Sequence, residues 1–283
     1  MPIKVIVEGD RTKDVCVLSY SSYSTYKQCP HRYYLEKVEK VPLVQEDITY
    51  TVPGRIVHDA AEHYFKTGSM EQFDVKSLED RLSDMGHWST VNYDKAYGSY
   101  DKALSLLTKS AQNLQTFLLT REKDKRFMSE QWFGVWNAPL YLSDNLAIQG
   151  AADLIEVNPN GTALLYDFKT SWNTNNLSRD QLLLYVIAAK KKWDINVTMT
   201  SFFLLPTNKQ NFFTFTEEDK TELLARFQRA ADDILTNREK LPATKNDKCK
   251  FCPFYDTCDA NRIEHSVASL SEGPVSFSFG AEL

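Results

Sequence analysis

Long hydrophobic runs are missing from this 283-residue chain, whose longest uninterrupted apolar stretch is Leu182–Ala189. That is far short of the ~20 residues a membrane-crossing helix needs, so the expectation is a soluble protein. The opening Met1-Pro-Ile-Lys-Val5 lacks the charged, apolar and cleavage regions of a secretory signal. The expected setting is therefore cytoplasmic and reducing. No Gly-x-x-x-x-Gly-Lys-[Ser/Thr] occurs, which excludes an ATP-motor phosphate loop. Excess positive charge is lacking too: 33 Lys and Arg face 38 Asp and Glu, a net charge of −5. That balance argues against a non-specific coater of nucleic acid. Cysteine is sparse at five, and no internal repeat is evident.

What is present is enough apolar material, 42% of the residues, for a sizeable core. Helical spacing predicts helices over Ser21–Lys37, behind a Ser19–Ser22 hydroxyl cap, and over Gly54–Phe65, Ser178–Lys191 and Glu217–Arg238. Residues 71–126 also read as mostly helical. Strand-like runs fall at Met1–Glu8, Glu130–Trp136, Leu140–Leu142, Ala147–Val157, Ala163–Thr170 and Val197–Leu205, with Phe212–Phe215 as a further edge. The pattern predicts an α/β fold, one mixed central sheet flanked by helices. The residues 71–126 form a helical insert, either an arch over substrate or a buttress. Past Arg262 the composition shifts to Ser, Gly, Glu and Pro, as in a disordered tail.

Chemistry concentrates around one turn. Asn158-Pro-Asn-Gly161 separates two strand-like runs, so a hairpin is expected with residue 157 opposite 162 or 163. Asp153 then lies across from residue 166 or 167. Period-two alternation puts Asp167 and Lys169 on one face and Phe168 in the core. Two carboxylates suffice to anchor Mg²⁺ or Mn²⁺, and a lysine beside them can orient water or offset phosphoryl charge. Asp-x-Lys alone occurs on many solvated strands. His58, one turn into its helix, is a further ligand candidate or a core histidine. Gln181 and Tyr185 share a helix face and need polar partners or a nearby site. Glu130, at a strand start, is either a third carboxylate or an edge-strand charge. Arg121–Arg126 and Lys190–Lys192 read as phosphate contacts or as solvated helix ends.

The order Gly54-x-x-x-His58, Asp153, Asp167-x-Lys169, Gln181-x-x-x-Tyr185 resembles the RecB-type branch of the PD-(D/E)XK nuclease superfamily. The phrase from Leu18 to Tyr34 is similar to the start of that branch's iron–sulfur members, the CRISPR-associated adaptation nucleases among them. The resemblance implies a restriction-endonuclease-like fold and a Mg²⁺- or Mn²⁺-dependent deoxyribonuclease. Its metal would be held by His58, Asp153, Asp167 and the Phe168 carbonyl. Catalysis would rest on Asp153, Asp167, Lys169, Gln181 and Tyr185. It also implies an exonuclease acting on single-stranded DNA or DNA ends in repair, recombination or CRISPR-type processing. A helicase or an adaptation partner would be a separate chain. The competing expectation is a non-catalytic subunit that binds DNA ends or separates strands.

Cys249-x-x-Cys252-x5-Cys258 supplies three close thiols and Cys29 a distant fourth, enough for a [4Fe–4S] cluster. The iron–sulfur members have the same one-before, three-after arrangement. Such a cluster would staple the two ends of the chain. Structural Zn²⁺, with His31 or His265 as a stand-in ligand, is the alternative. Cys16 reads as a buried spectator. The expected organisation is an N-terminal segment over 1–50, a helical region over 51–128, a nuclease core over 129–240, a three-cysteine segment over 241–262 and a tail over 263–283.

Overall fold

The computed structural model describes residues 3–8, 11–42, 48–88, 90–122, 124–172 and 177–260, with the backbone alone at 5–8 and 11–12. The expectations for the tail, and for His265 as a ligand, lie outside these residues.

Strands β1 (Ile3–Glu8) and β2 (Arg11–Leu18) pair antiparallel. Helix α1 (Tyr20–Gln28) follows, opened by a Ser19–Ser22 capping box. The helix expected to reach Lys37 stops at Cys29, which is extended because Pro30 disfavours helical geometry in the residue before it. Pro30 starts the four-residue α2 (Pro30–Tyr33), and a π-helical turn (Tyr34–Glu39) completes the segment. The helical region comprises α3 (Val52–Thr67), α4 (Val75–Gly86), α5 (Tyr93–Tyr97) and α6 (Tyr100–Leu119). Then come β3 (Arg126–Gly134), β4 (Leu140–Tyr141), β5 (Leu146–Ile148), β6 (Gly150–Val157) and β7 (Thr162–Lys169). The chain continues through α7 (Arg179–Trp193), β8 (Asn196–Leu204), β9 (Lys209–Phe213) and α8 (Glu217–Thr236).

The strands form two mixed sheets, β1-β2-β5-β4 and β3-β6-β7-β8-β9, which corrects the expectation of one. The run expected as a single strand, Ala147–Val157, splits between them at Gln149–Gly150. Gly150 has φ +154, and a Cβ there would stand 2.6 Å from Phe133 Cζ. A Cβ on Gly134 would stand 2.4 Å from the Ile148 carbonyl oxygen. Only glycines let the two sheets come this close. Leu140–Tyr141 accordingly belongs to the smaller sheet. β2 was not expected, because Arg11-Thr-Lys-Asp14 is polar and the buried stretch Val15–Leu18 is short.

On one face of the five-stranded sheet, α3, α4 and α6 share a core with Leu154, Tyr166, Phe168 and Phe203. The helical insert is thus a buttress. On the other face, α7 packs Leu182, Val186 and Ala189 against the sheet. Its Leu183, Leu184, Ile187 and Ala188 turn instead toward α8 and the smaller sheet. A helix covered on all sides must be apolar all round, which is why α7 contains the chain's longest apolar run. Both cores thereby meet on the helix that carries Gln181 and Tyr185. Among the described residues, no helix is long and apolar enough to cross a membrane.

Candidate active site

The β6–β7 hairpin closes through Asn158 N–H to the Thr162 carbonyl at 2.8 Å, with Gly161 in the left-handed region. Val157 pairs with Ala163 and Leu154 with Tyr166, the expected register. One step further, Asp153 faces Asp167. Its Oδ2 accepts the Phe168 amide at 2.6 Å, locking the carboxylate to the end of β7. Phe168 itself is 3% exposed, ringed by Phe117 and Phe203.

Helix α3 brings His58 to this point. A Cβ on Gly54 would stand 3.1 Å from Thr170 Oγ1, so glycine there lets the first turn of α3 lie against the end of β7. One turn on, His58 Nδ1 is 3.0 Å from Glu130 Oε1 and 3.6 Å from Asp153 Oδ1, and Nε2 is 3.3 Å from the Phe168 carbonyl oxygen. Glu130 sits between the Ser129–Leu154 and Gln131–Ala152 pairs, hence across from Asp153. Its φ of +46 is unusual for a non-glycine in a strand; left-handed backbone costs about 1–2 kcal/mol, and such strain collects at functional sites. The two sequence readings of Glu130 are thus separated by geometry: its carboxylate joins the site.

His58, Glu130 and Asp153 each offer one ligand atom, and the three lie within 4.8 Å of one another. Asp167 stands beside this group, with its Oδ2 2.6 Å from Lys169 Nζ. The Lys169 ammonium is thus paired with a buried carboxylate oxygen at the edge of the group. Buried oxygens, one imidazole and a nearby backbone carbonyl make a donor set suited to a hard divalent ion. The residues present fit Mg²⁺ or Mn²⁺.

Burial raises Asp153 above the ordinary carboxylate range, against the pull of His58, with Glu130 adding to the rise. Burial likewise takes Asp167 to about 6, although Lys169 opposes it. Burial works against charge on His58, but Asp153, Glu130 and Asp167 outweigh it and lift the imidazole to about 9. Buried carboxyls crowded together and pushed upward in this way mark a place suited to a cation.

Lys169 also donates to Gln181 Oε1 at 3.4 Å, and Gln181 Nε2 donates to Tyr185 OH at 3.0 Å. The expected pair on α7 is therefore linked to the lysine. Burial disfavours the Lys169 ammonium, yet Asp167 and Asp153 keep it charged, with its pKa above the usual value. Lys169 and His58 each leave 26% of the side chain exposed, so the site opens to solvent on their side.

Arg121 and Lys125 are committed elsewhere, which removes them as phosphate contacts. They pair with the buried Glu156 at 3.4 and 2.6 Å, a partner sequence spacing could not reveal. Lys190 pairs with Asp194, just past the end of its own helix.

Cys29, Cys249, Cys252 and Cys258 line one cavity between α2 and the C-terminal turns. Amides of Arg32 and Thr244 point at Cys29 Sγ at 3.5 Å each, and the Asn246 amide at Cys249 Sγ at 3.4 Å. Among the described residues no three cysteine sulfurs lie within 4.8 Å of one another. Cys16 is fully buried, apart from these four.

A family model described as the PD-(D/E)XK nuclease superfamily matches residues 17–259. No curated protein sequence matches the chain. Among solved structures, the chain is similar to a protein from Eubacterium rectale described as "Putative exonuclease". That similarity has 14% identity, 91% of this chain and 94% of that one covered, and a TM-score of 0.45. It is also similar to SSO0001, at 15% identity, with 75% and 97% covered and a TM-score of 0.34.

Proposed function

The chain belongs to the PD-(D/E)XK nuclease superfamily, and on that premise we propose that it is a Mg²⁺- or Mn²⁺-dependent deoxyribonuclease acting as an exonuclease at DNA ends. The observation that carries this reading is the convergence of Asp153, Asp167 and Lys169 at one end of the β6–β7 hairpin, with His58 and Glu130 brought to them. His58, Glu130, Asp153, Asp167 and the Phe168 carbonyl would hold the metal. Once bound, it would supply Lewis acidity toward the scissile phosphate and acidify a water. Lys169, steadied by Asp167 and Gln181, orients the attacking water and offsets charge on the phosphoryl oxygens. Tyr185 holds Gln181 in place.

The finer assignment is to the RecB-type branch, with a [4Fe–4S] cluster on Cys29, Cys249, Cys252 and Cys258. One feature supports it: the amides aimed at the Cys29 and Cys249 sulfurs suit thiolate ligands. In this reading the N-terminal segment to residue 50 and the segment 241–262 clasp a nuclease core spanning 129–240, with 51–128 as its helical buttress. The setting would be the reducing cytoplasm, in DNA repair, recombination or CRISPR-type processing, alongside a separate helicase or adaptation partner.

End-labelled linear single-stranded DNA, incubated with and without Mn²⁺, tests the reading in wild type and Asp167→Ala. Degradation that needs metal and Asp167 supports it, and release of label first or last reports the polarity. Intact DNA with cluster-replete wild type, on single strands and duplex alike, would shift the reading to a non-catalytic DNA-end-binding subunit.

A further inference from the structure

Gln181 meets Lys169 at the edge of its range. The contact is 3.4 Å, beyond the roughly 2.7–3.2 Å usual for N–H···O bonds. A drift of roughly 0.3 Å would end it, so whatever fixes Gln181 belongs to the working of the site. Tyr185 holds the other end of the Gln181 amide, but it rides on the same helix and cannot fix where that helix starts. Ser178, the N-cap of α7, makes no side-chain capping bond.

The hold comes from α8. Asp180, next to Gln181 in the first turn of α7, is gripped by both prongs of Arg226. Nη1 donates to Oδ2 at 2.7 Å and Nη2 to Oδ1 at 2.9 Å, and two parallel bonds fix orientation as well as distance. Arg226 stands on a firm base. Leu223, one turn before it, and Phe227, next to it, are fully buried, and Phe227 stacks on Tyr23 with centroids 4.0 Å apart. Lys27 also approaches Asp180 Oδ2, at 4.0 Å, but a half-exposed lysine at that range adds little. The helix dipole already favours a carboxylate in a first turn. What the guanidinium adds is position.

We propose that Arg226 is a positioning residue for the reaction, holding Lys169 in place through Asp180 and Gln181. The proposal rests on the nuclease reading of Lys169. Its effect on the reaction runs through Gln181, and this gives the test its form.

That test is a double-mutant cycle on cleavage of end-labelled DNA in Mn²⁺, run well below the melting temperature of every variant. Arg226→Gln should lower kcat about fivefold, with KM and Mn²⁺ affinity unchanged. Arg226→Lys, which keeps the charge but not the fork, should fall between that variant and wild type. In a Gln181→Ala background, Arg226→Gln should cost nothing further, because the link it steadies is already gone. Arg238→Gln removes an ion pair with Asp14 just past α8 and should keep the kcat of wild type, even at an equal loss of melting temperature. Amide hydrogen exchange gives a readout independent of cleavage: Arg226→Gln should quicken exchange over Leu182–Tyr185 while Phe227 stays protected. Full kcat in Arg226→Gln, additive losses in the double variant, or unchanged exchange at the start of α7 overturns the proposal. If wild type itself cleaves no DNA, the nuclease reading falls and takes the kinetic role with it, whereas quickened exchange would still show the clamp.

Discussion

Lys169 is held from two sides, by the Asp167 carboxylate and the Gln181 amide, so its position depends on Gln181 as well as on its acidic partner. Gln181→Ala should lower kcat about tenfold with KM little changed, since a hydrogen bond to a charged group contributes about 1.5–3 kcal/mol. Tyr185→Phe, which removes only the hydroxyl behind Gln181, should cost less. Steady-state kinetics on both variants checks the order. Cys16 makes a different prediction. Burial pushes its thiol up to about 12 from 9.0, so the folded state keeps the proton and the thiol stays neutral at pH 9. Mass mapping after alkylation of folded, cluster-free protein at that pH should find Cys29, Cys249, Cys252 and Cys258 modified and Cys16 untouched. Modification of Cys16 without unfolding would contradict its burial. Asp153, Asp167 and Lys169 were legible in the sequence because strand alternation and one turn signal dictate where they point. Glu130 was legible only as one of two readings, because a left-handed residue in a strand breaks the alternation any reading must assume.

At the scale of elements, the β6–β7 hairpin and its neighbours are held by Phe168, whose ring lies among Phe117, Phe203 and His58. Phe168→Ala should destabilise the protein by about 3–5 kcal/mol, read as a lower denaturant midpoint with an unchanged slope. A loss under about 1 kcal/mol would mean that this core is not continuous with the site. Helices were read correctly where apolar spacing met a cap, as in α8, and misread where one residue overrode the pattern. Pro30 broke the helix that tyrosine-rich spacing suggested, and Gly150 divided one expected strand between the two sheets. The apolar run of α7 was visible, but its reason is tertiary: two cores share it.

On the scale of the whole molecule, Cys29 follows α1, while Cys249, Cys252 and Cys258 lie more than 200 residues downstream on the same cavity. If a cluster joins them, Cys252→Ser should lower the melting temperature of the entire chain and remove visible absorbance, whereas Lys169→Ala should change neither. Loss of absorbance without loss of stability would show that the cluster is not the clasp. That the ends meet was legible only as a count of thiols; the cavity requires the fold. The central claim is that His58, Glu130, Asp153 and Asp167 hold a metal while Lys169 serves the attacking water. Mn²⁺ binding by electron paramagnetic resonance, with cleavage assayed in the same samples, separates these roles. Lys169→Ala should bind Mn²⁺ as wild type does and fail to cleave, and Asp167→Ala should lose both. Full cleavage by either variant, or loss of Mn²⁺ binding by Lys169→Ala, would contradict the account.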